Sequence, residues 1–190
     1  GGALLINDER YMERAEIIRE KGTNRARFFR GQIDKYSWCD VGSSYVMSDV
    51  LAAFLFAQLD VWPFIQVKRQ TLWMRYHHEL RDWCQANGVR QPIIPSHCEQ
   101  AYHMYYLLLP SLDARTRLIA HLKSLGILAV FHYLPLHLSE YAKQWGGKLG
   151  DCPVTEDVSD RLLRLPFFNG MTPEIQGQVI EAIRGFKADV

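Results

Sequence analysis

The sequence is poor in cysteine. There are four, Cys39, Cys84, Cys98 and Cys152, and no two have C-x-x-C spacing. That density is too low for a disulfide scaffold and reads as free thiols in a reducing compartment, the cytosol. Excess charge is lacking too. Lys plus Arg is 22 against 21 for Asp plus Glu, a net charge of +1, so nothing drives the chain as a whole onto nucleic acid or into an anionic membrane surface. No apolar run reaches the ~18 residues of a membrane span, and the first residues do not have the build of a signal peptide. Walker A, G-x-G-x-x-G and G-x-S-x-G signatures are all missing. Of the seven histidines, His132 and His137 come nearest to a metal pair, but Pro135 between them prevents a shared helix face. No cysteine or carboxylate sits at ligand spacing beside them, so no metal site is expected.

What is present is an ordinary globular composition, 48% hydrophobic and 23% charged in 190 residues. A chain of this length can bury roughly 70% of its unfolded surface. It opens on Gly1-Gly2-Ala3-Leu4-Leu5-Ile6, with no initiator Met. Ala3 to Ile6 predicts a buried strand, and a terminus inside a strand reads as a cut through a longer protein. Asp8 can cap a helix with Tyr11, Met12, Ala15 and Ile18 inward and Gly22 as its stop. Residues 23–46 have no clean period and predict a long functional or interfacial loop. From Met47 to Leu59 nearly every position is apolar, which predicts a helix buried on all sides, in a core or a subunit interface. Pro63 opens a long helix carrying Ile65, Leu72, Tyr76, Leu80 and Trp83, closed by Gly88.

Beyond Pro92 and Pro95 the pattern alternates. Met104 to Leu109, Leu128 to Tyr133 and Leu165 to Phe168 predict strands. Asp113, Thr155 and Thr172 predict caps for three helices, the first carrying Leu118, Ile119, Leu122 and Leu125 up to Gly126, the last carrying Ile175, Val179, Ile183 and Phe186. The expected organisation is a segment 1–60, a linking helix and connector 61–98, and a small α+β domain 99–190.

Two places carry candidate chemistry. Phe131-His132-Tyr133-Leu134-Pro135-Leu136-His137 sets two histidines and a tyrosine at the end of a strand, where polar tips can meet a ligand. The same residues also read as a core tyrosine between solvated turn histidines. Arg25, Arg27 and Arg30 lie close enough to grip a phosphate in bidentate fashion. A solvated loop with Phe28 and Phe29 packed under it suits the composition better.

Four segments in register resemble one family. Gly1-Gly2-Ala3-Leu4-Leu5-Ile6-Asn7-Asp8 resembles the G-E-G-G-A strand that follows the cofactor lysine of fold type I sugar aminotransferases. Asp40-Val41-Gly42-Ser43-Ser44-Tyr45-Val46-Met47-Ser48-Asp49 is similar to their G-x-N-x-R-x-x-E segment, continued by Ala57-Gln58-Leu59. Phe131 to His137 resembles the H-Y-x-P-L-H motif, and Arg164-Leu165-Pro166-Phe167-Phe168 the late L-P-L/F strand. The family is that of the DegT/DnrJ/EryC1/StrS nucleotide-sugar aminotransferases. The resemblance implies an α/β fold: the C-terminal part of a fold type I pyridoxal 5'-phosphate (PLP) dependent transferase, ending in a small α+β domain. Within the family, R-x-R-F-F-R-G-Q, D-V-G-S-S-Y and A-V-F-H-Y resemble the subgroup that forms dTDP-4-amino-4,6-dideoxygalactose from dTDP-4-keto-6-deoxyglucose and L-glutamate, a step feeding enterobacterial common antigen and lipopolysaccharide.

The resemblance further implies a cytoplasmic homodimer with PLP as cofactor. His132, Tyr133 and His137, with Arg27 and Arg30, would serve the nucleotide-sugar substrate, and Ser44 the PLP phosphate of the partner subunit. Most of the family has Asn at the position of Ser44 and Arg at that of Val46. The cofactor-binding lysine lies before the G-E-G-G turn, so it would be upstream of Gly1. None of Lys21, Lys35, Lys68, Lys123, Lys143, Lys148 and Lys187 sits in the motif, and this chain alone is expected to be inactive. The alternatives are a non-enzymatic module binding nucleotide sugar or a protein, and an aminotransferase for another keto-sugar nucleotide.

Overall fold

The computed structural model describes residues 2–188; Gly1 of the first family segment lies outside them. The chain divides into two compact units, Gly1–Val61 and Trp62–Val190.

In the first unit the Asp8 carboxylate accepts a hydrogen bond from the Arg10 amide (3.1 Å). A single 3-10 turn, Glu9–Tyr11, leads into helix α1, Met12–Arg19. Gly22 ends it in the left-handed region at φ 77°, its amide donating to the Ile17 carbonyl at 2.8 Å. A Cβ there would stand 1.8 Å from the Asp40 carbonyl oxygen, and one on Gly42 would stand 2.1 Å from the Gly22 nitrogen. Two backbones touch here, and only glycine permits it. Isolated bridges Glu20↔Ser44 and Thr23↔Trp38 extend the contact, and a short helix α2, Arg25–Phe29, fills the loop. The segment without period is therefore a compact structure pinned at its base.

Two expectations move in this unit, the Ala3 to Ile6 strand and the inward side of Tyr11 and Met12. Ala3 to Ile6 is extended but unpaired, with Leu5 85% exposed: a strand exists only where a neighbour takes its backbone bonds, and none does so among the described residues. Helix α3, Asp49–Asp60, forms where expected, with the Ser48 hydroxyl accepting from the Leu51 amide. Yet none of it is buried, and Val50, Phe54 and Phe56 are two-thirds exposed or more. Hydropathy states that a helix needs cover, not that its own chain supplies it. Tyr11 and Met12, expected inward on α1, are exposed as well.

The second unit holds the core. Helices α4 (Trp62–Glu79) and α5 (Arg81–Ala86) replace the single expected helix. The turn at Leu80 keeps its bonds, Leu80 N–H to Tyr76 O (3.0 Å) and Cys84 N–H to Leu80 O (2.8 Å). Gly88 at φ 63° closes the pair, with the Val89 amide reaching back to the Cys84 carbonyl at 2.9 Å, a Schellman end. Strand β1 is Tyr106–Leu108, helix α6 Leu112–Ser124, strand β2 Val130–Phe131, helix α7 Glu140–Lys143, helix α8 Pro153–Arg161, strand β3 Leu162–Arg164 and helix α9 Pro173–Arg184.

The sheet runs β1-β3-β2, antiparallel throughout. Alternation divides its faces. Leu107 and Leu163 pair on one face with Phe131 beyond, and that face carries the core. Tyr76, Leu80, Tyr105, Leu107, Leu109, Leu118, Leu122, Leu163, Ile180 and Ile183 are all fully buried. On the other face Tyr106, Arg164 and Val130 form one row, each half-exposed.

Three local expectations move. Helix α6 is capped by Ser111, whose hydroxyl accepts from the Ala114 amide at 3.1 Å; Asp113 instead pairs with Arg117 one turn on. Helix α8 starts at Pro153, so Thr155 lies inside its first turn. The last strand is Leu162–Arg164, not Leu165 to Phe168, because its partners β1 and β2 lie opposite those three residues. The strands at 104–109 and 128–133 shorten for the same reason. The Thr172 cap forms as expected, accepting from the Ile175 amide.

Candidate functional site

The candidate residues fall into two groups, one in each unit. In the first, the arginines of the loop meet the carboxylates of α1 and its end. Arg27 pairs with Glu13 at 2.8 Å, Arg25 with Glu20 at 3.2 Å, and Arg30 grips both oxygens of Glu16 at 2.9 and 2.8 Å. The Arg30 guanidinium holds the Glu16 carboxyl below its usual range, against a smaller opposing effect of burial. Arg25 also lies over the Phe29 ring, 4.9 Å from its centre. Phe29 itself is two-thirds exposed, so it does not pack under the loop. These ion pairs are partly exposed, and such pairs contribute at most about 1 kcal/mol each. An incoming oxyanion could exchange with the glutamates at little cost. Ser44 is fixed through its backbone bridge to Glu20; its side chain is exposed. A cleft of about 1170 Å³ in this unit is lined largely by Leu4, Ile6, Met12, Ile18, Val46 and Met47. Tyr11, Arg14, Glu16, Arg19 and Tyr45 complete its lining, and much of the apolar part is uncovered surface.

The second group follows β2. The His132 ring is half-buried, and its Nδ1 is enclosed without a hydrogen-bond partner. Tyr133 is 71% exposed, so it is not a core residue. Its ring packs against His132 at 5.3 Å between centres and beneath the Arg164 guanidinium at 5.4 Å. The Ser159 hydroxyl donates to the Tyr133 carbonyl at 3.0 Å, fixing the chain. After the buried Pro135 a 3-10 turn, Leu136–Leu138, carries His137. His137 Nε2 lies 2.7 Å from a Glu156 carboxylate oxygen, both side chains largely buried. Glu156 also accepts from the Gly150 and Cys152 amides at 2.9 and 3.3 Å. Its carboxyl is held below the usual range, first by His137 and then, against some desolvation, by those amides. His137 thus ties the 137–152 loop to α8, while Tyr133 stays exposed and His132 keeps an enclosed Nδ1 without a partner.

Sequence reasoning missed Arg164 and Glu156. Arg164 reads as the basic end of a helix when the strand is set three residues late, and Glu156 reads as an acidic first-turn residue. The four cysteines are free, as expected; burial pushes the Cys84 thiol up to about 12. All seven lysines are solvent-exposed.

Residues 1–184 match the model of the DegT/DnrJ/EryC1/StrS aminotransferase family. An uncharacterized protein of Methanocaldococcus jannaschii, MJ1066, is 30% identical over 97% of this chain and 49% of its own length. The chain spans about half the length of the curated relatives it matches. Among solved structures, a DegT DnrJ EryC1 StrS aminotransferase from Brucella abortus superposes with a TM-score of 0.77 at 26% identity, covering 96% of this chain and 45% of that one. Spr1654 from Streptococcus pneumoniae in its PLP-form gives 0.79 at 21% identity, covering 94% and 44%. The fold is accordingly the mixed α/β one of part of these enzymes, and the chain belongs to the DegT/DnrJ/EryC1/StrS aminotransferase family.

Proposed function

We propose that the complete protein is a cytoplasmic, homodimeric sugar aminotransferase that moves the amino group of L-glutamate to the 4-keto carbon of dTDP-4-keto-6-deoxyglucose, and that this chain is its C-terminal half. The observation that carries the reading is the turn after β2. It carries an exposed tyrosine and a half-buried histidine whose enclosed Nδ1 has no partner, at the position of the family's H-Y-x-P-L-H motif. PLP, when bound, supplies the electron sink for amino transfer. The residues here fit it only in part. Ser44 offers a hydroxyl for its phosphate, whereas an amine that anchors a cofactor must be desolvated or otherwise activated, and the exposed lysines of this chain are not. In this proposal the anchoring lysine lies upstream of Gly1, a reading that the order of the family motifs supports.

The roles of this chain's residues follow. His132 and Tyr133 wall the nucleotide-sugar cleft and His137 holds that wall through Glu156, while Arg27 and Arg30, with Ser44, serve the partner subunit's site, exchanging their glutamate partners for the substrate's diphosphate. The test is single-turnover kinetics on the complete protein, which separates the two half-reactions. Ala at His132 or Tyr133 is expected to weaken the sugar half-reaction by about 1.5–3 kcal/mol, the cost of one hydrogen bond to a charged group, and to leave the glutamate half-reaction nearly unchanged. Equal losses in both halves would make these residues structural. A complete protein that binds the nucleotide sugar but never aminates it would be a binding module, and amination of a different keto-sugar nucleotide would replace the substrate alone.

A further inference from the structure

Arg164 occupies the middle of the sheet's less covered face. Its strand β3 is central, and the register sets it in one row with Tyr106 on one side and Val130 on the other. His132 follows Val130 by two residues. The Arg164 guanidinium lies over the Tyr133 ring, which also packs against His132, so one aromatic ring joins the cation and the imidazole. Nη2 of Arg164 donates to the Phe131 carbonyl at 3.2 Å. Its Nε is enclosed without a partner, as is Nδ1 of His132. No carboxylate pairs with Arg164 among the described residues, although most arginines of the chain have one. A half-buried guanidinium is costly to leave unpaired. Its ring stack and carbonyl bond hold it in one orientation, which is the pre-organised fork that recognises an oxyanion.

We infer that Arg164, with His132 and Tyr133 beside it, forms an oxyanion subsite on the sheet face. The inference rests on reading the 131–137 turn as a substrate wall. The ligand chemistry is a carboxylate or phosphate group, and two sources supply it: the carboxylate of the amino donor and the diphosphate of the nucleotide sugar. Arg164 is a binding residue in this scheme, touching the ligand through its guanidinium edge.

The test uses the complete protein labelled with 15N-arginine. The Arg164 Nε–H resonance is assigned by its loss in Arg164→Lys, then followed as L-glutamate is added in one series and thymidine diphosphate in another. Saturable movement of that resonance in one series identifies the source. Calorimetry with the same ligand should then show a loss of about tenfold or more in Arg164→Gln, the scale of one charge-assisted hydrogen bond. Lys123→Gln, which removes an exposed charge on α6, should change the affinity by less than about twofold. If Arg164→Gln fails to fold, the resonance assigned through the conservative Arg164→Lys still supplies the readout. An Arg164 resonance unmoved by both ligands, or affinity retained in a folded Arg164→Gln chain, overturns the subsite. Neither result depends on turnover: a complete protein that transaminates without this anion contact defeats the inference alone, and one that binds the anion without transaminating defeats the proposed function alone.

Discussion

Lysine is the residue type on which the proposed chemistry turns. All seven lysines are exposed, without the desolvating surroundings that activate an amine as a nucleophile. Mixing the chain with PLP and reducing with borohydride should therefore give scattered, substoichiometric labelling by peptide mapping. Stoichiometric modification of one lysine, with turnover, would show that the cofactor anchor lies within residues 1–190. Glu156 gives a second prediction at this scale. Its carboxyl is held below the ordinary range, so the stabilisation it provides is present above that range and is lost as pH falls through its lowered value. Protection of the Gly150 and Cys152 amides, relative to their intrinsic exchange at each pH, should hold from neutral pH down to about 4, the ordinary Glu range, and fall only below it. Glu156→Ala should remove the protection at every pH. Unchanged exchange in that variant would mean the 137–152 loop is held by other contacts.

At the scale of elements, position of a cap decides more than its chemistry. Ser111 and Asp113 are both good capping residues two positions apart, and the sequence alone favours the aspartate beside the apolar run. The structure gives the cap to Ser111 because Leu112 already belongs to the helix and contributes to its first turn. Ser111→Ala should cost about 1 kcal/mol of stability, and Asp113→Ala, which breaks only the exposed pair with Arg117, less than about 0.5 kcal/mol. Denaturant midpoints compare the two directly, and the reverse order would return the cap to Asp113. The helices of the second unit were legible because their buried faces repeat: Leu72, Tyr76 and Leu80, or Val179 and Ile183. The short strands were legible in existence but not in extent, since a strand of three residues takes its limits from its partners. That displacement hid Arg164, which is visible as a site residue only once the register of β3 is known. The arginine loop shows the same limit. Its basic residues stand out in the sequence, but Glu13, Glu16 and Glu20 become their partners only through the fold.

For the whole molecule, the apolar helix α3 and the loop before it raise the question of cover. A twelve-residue helix with no buried position exposes more contiguous apolar surface than a folded monomer normally leaves to water. The family segment carrying Ser44 leads directly into it. In the proposed dimer this surface is the subunit contact and Ser44 serves the neighbouring cofactor. Mixed dimers of the complete protein test the assignment. One subunit lacks the upstream lysine; the other carries Ser44→Glu, which sets a negative charge against the phosphate. If sites are shared across the interface, one site of each mixed dimer carries both lesions and the other carries neither. Activity should then return to roughly a quarter of the wild-type level, since about half of randomly paired dimers are mixed and each has one intact site. If Ser44 acts within its own subunit, every site in the mixture carries at least one lesion and activity stays at the level of the separate variants. Mixed dimers shown to form by mass spectrometry, yet without recovered activity, would remove Ser44 from the partner's site and leave α3 to be covered by some other surface.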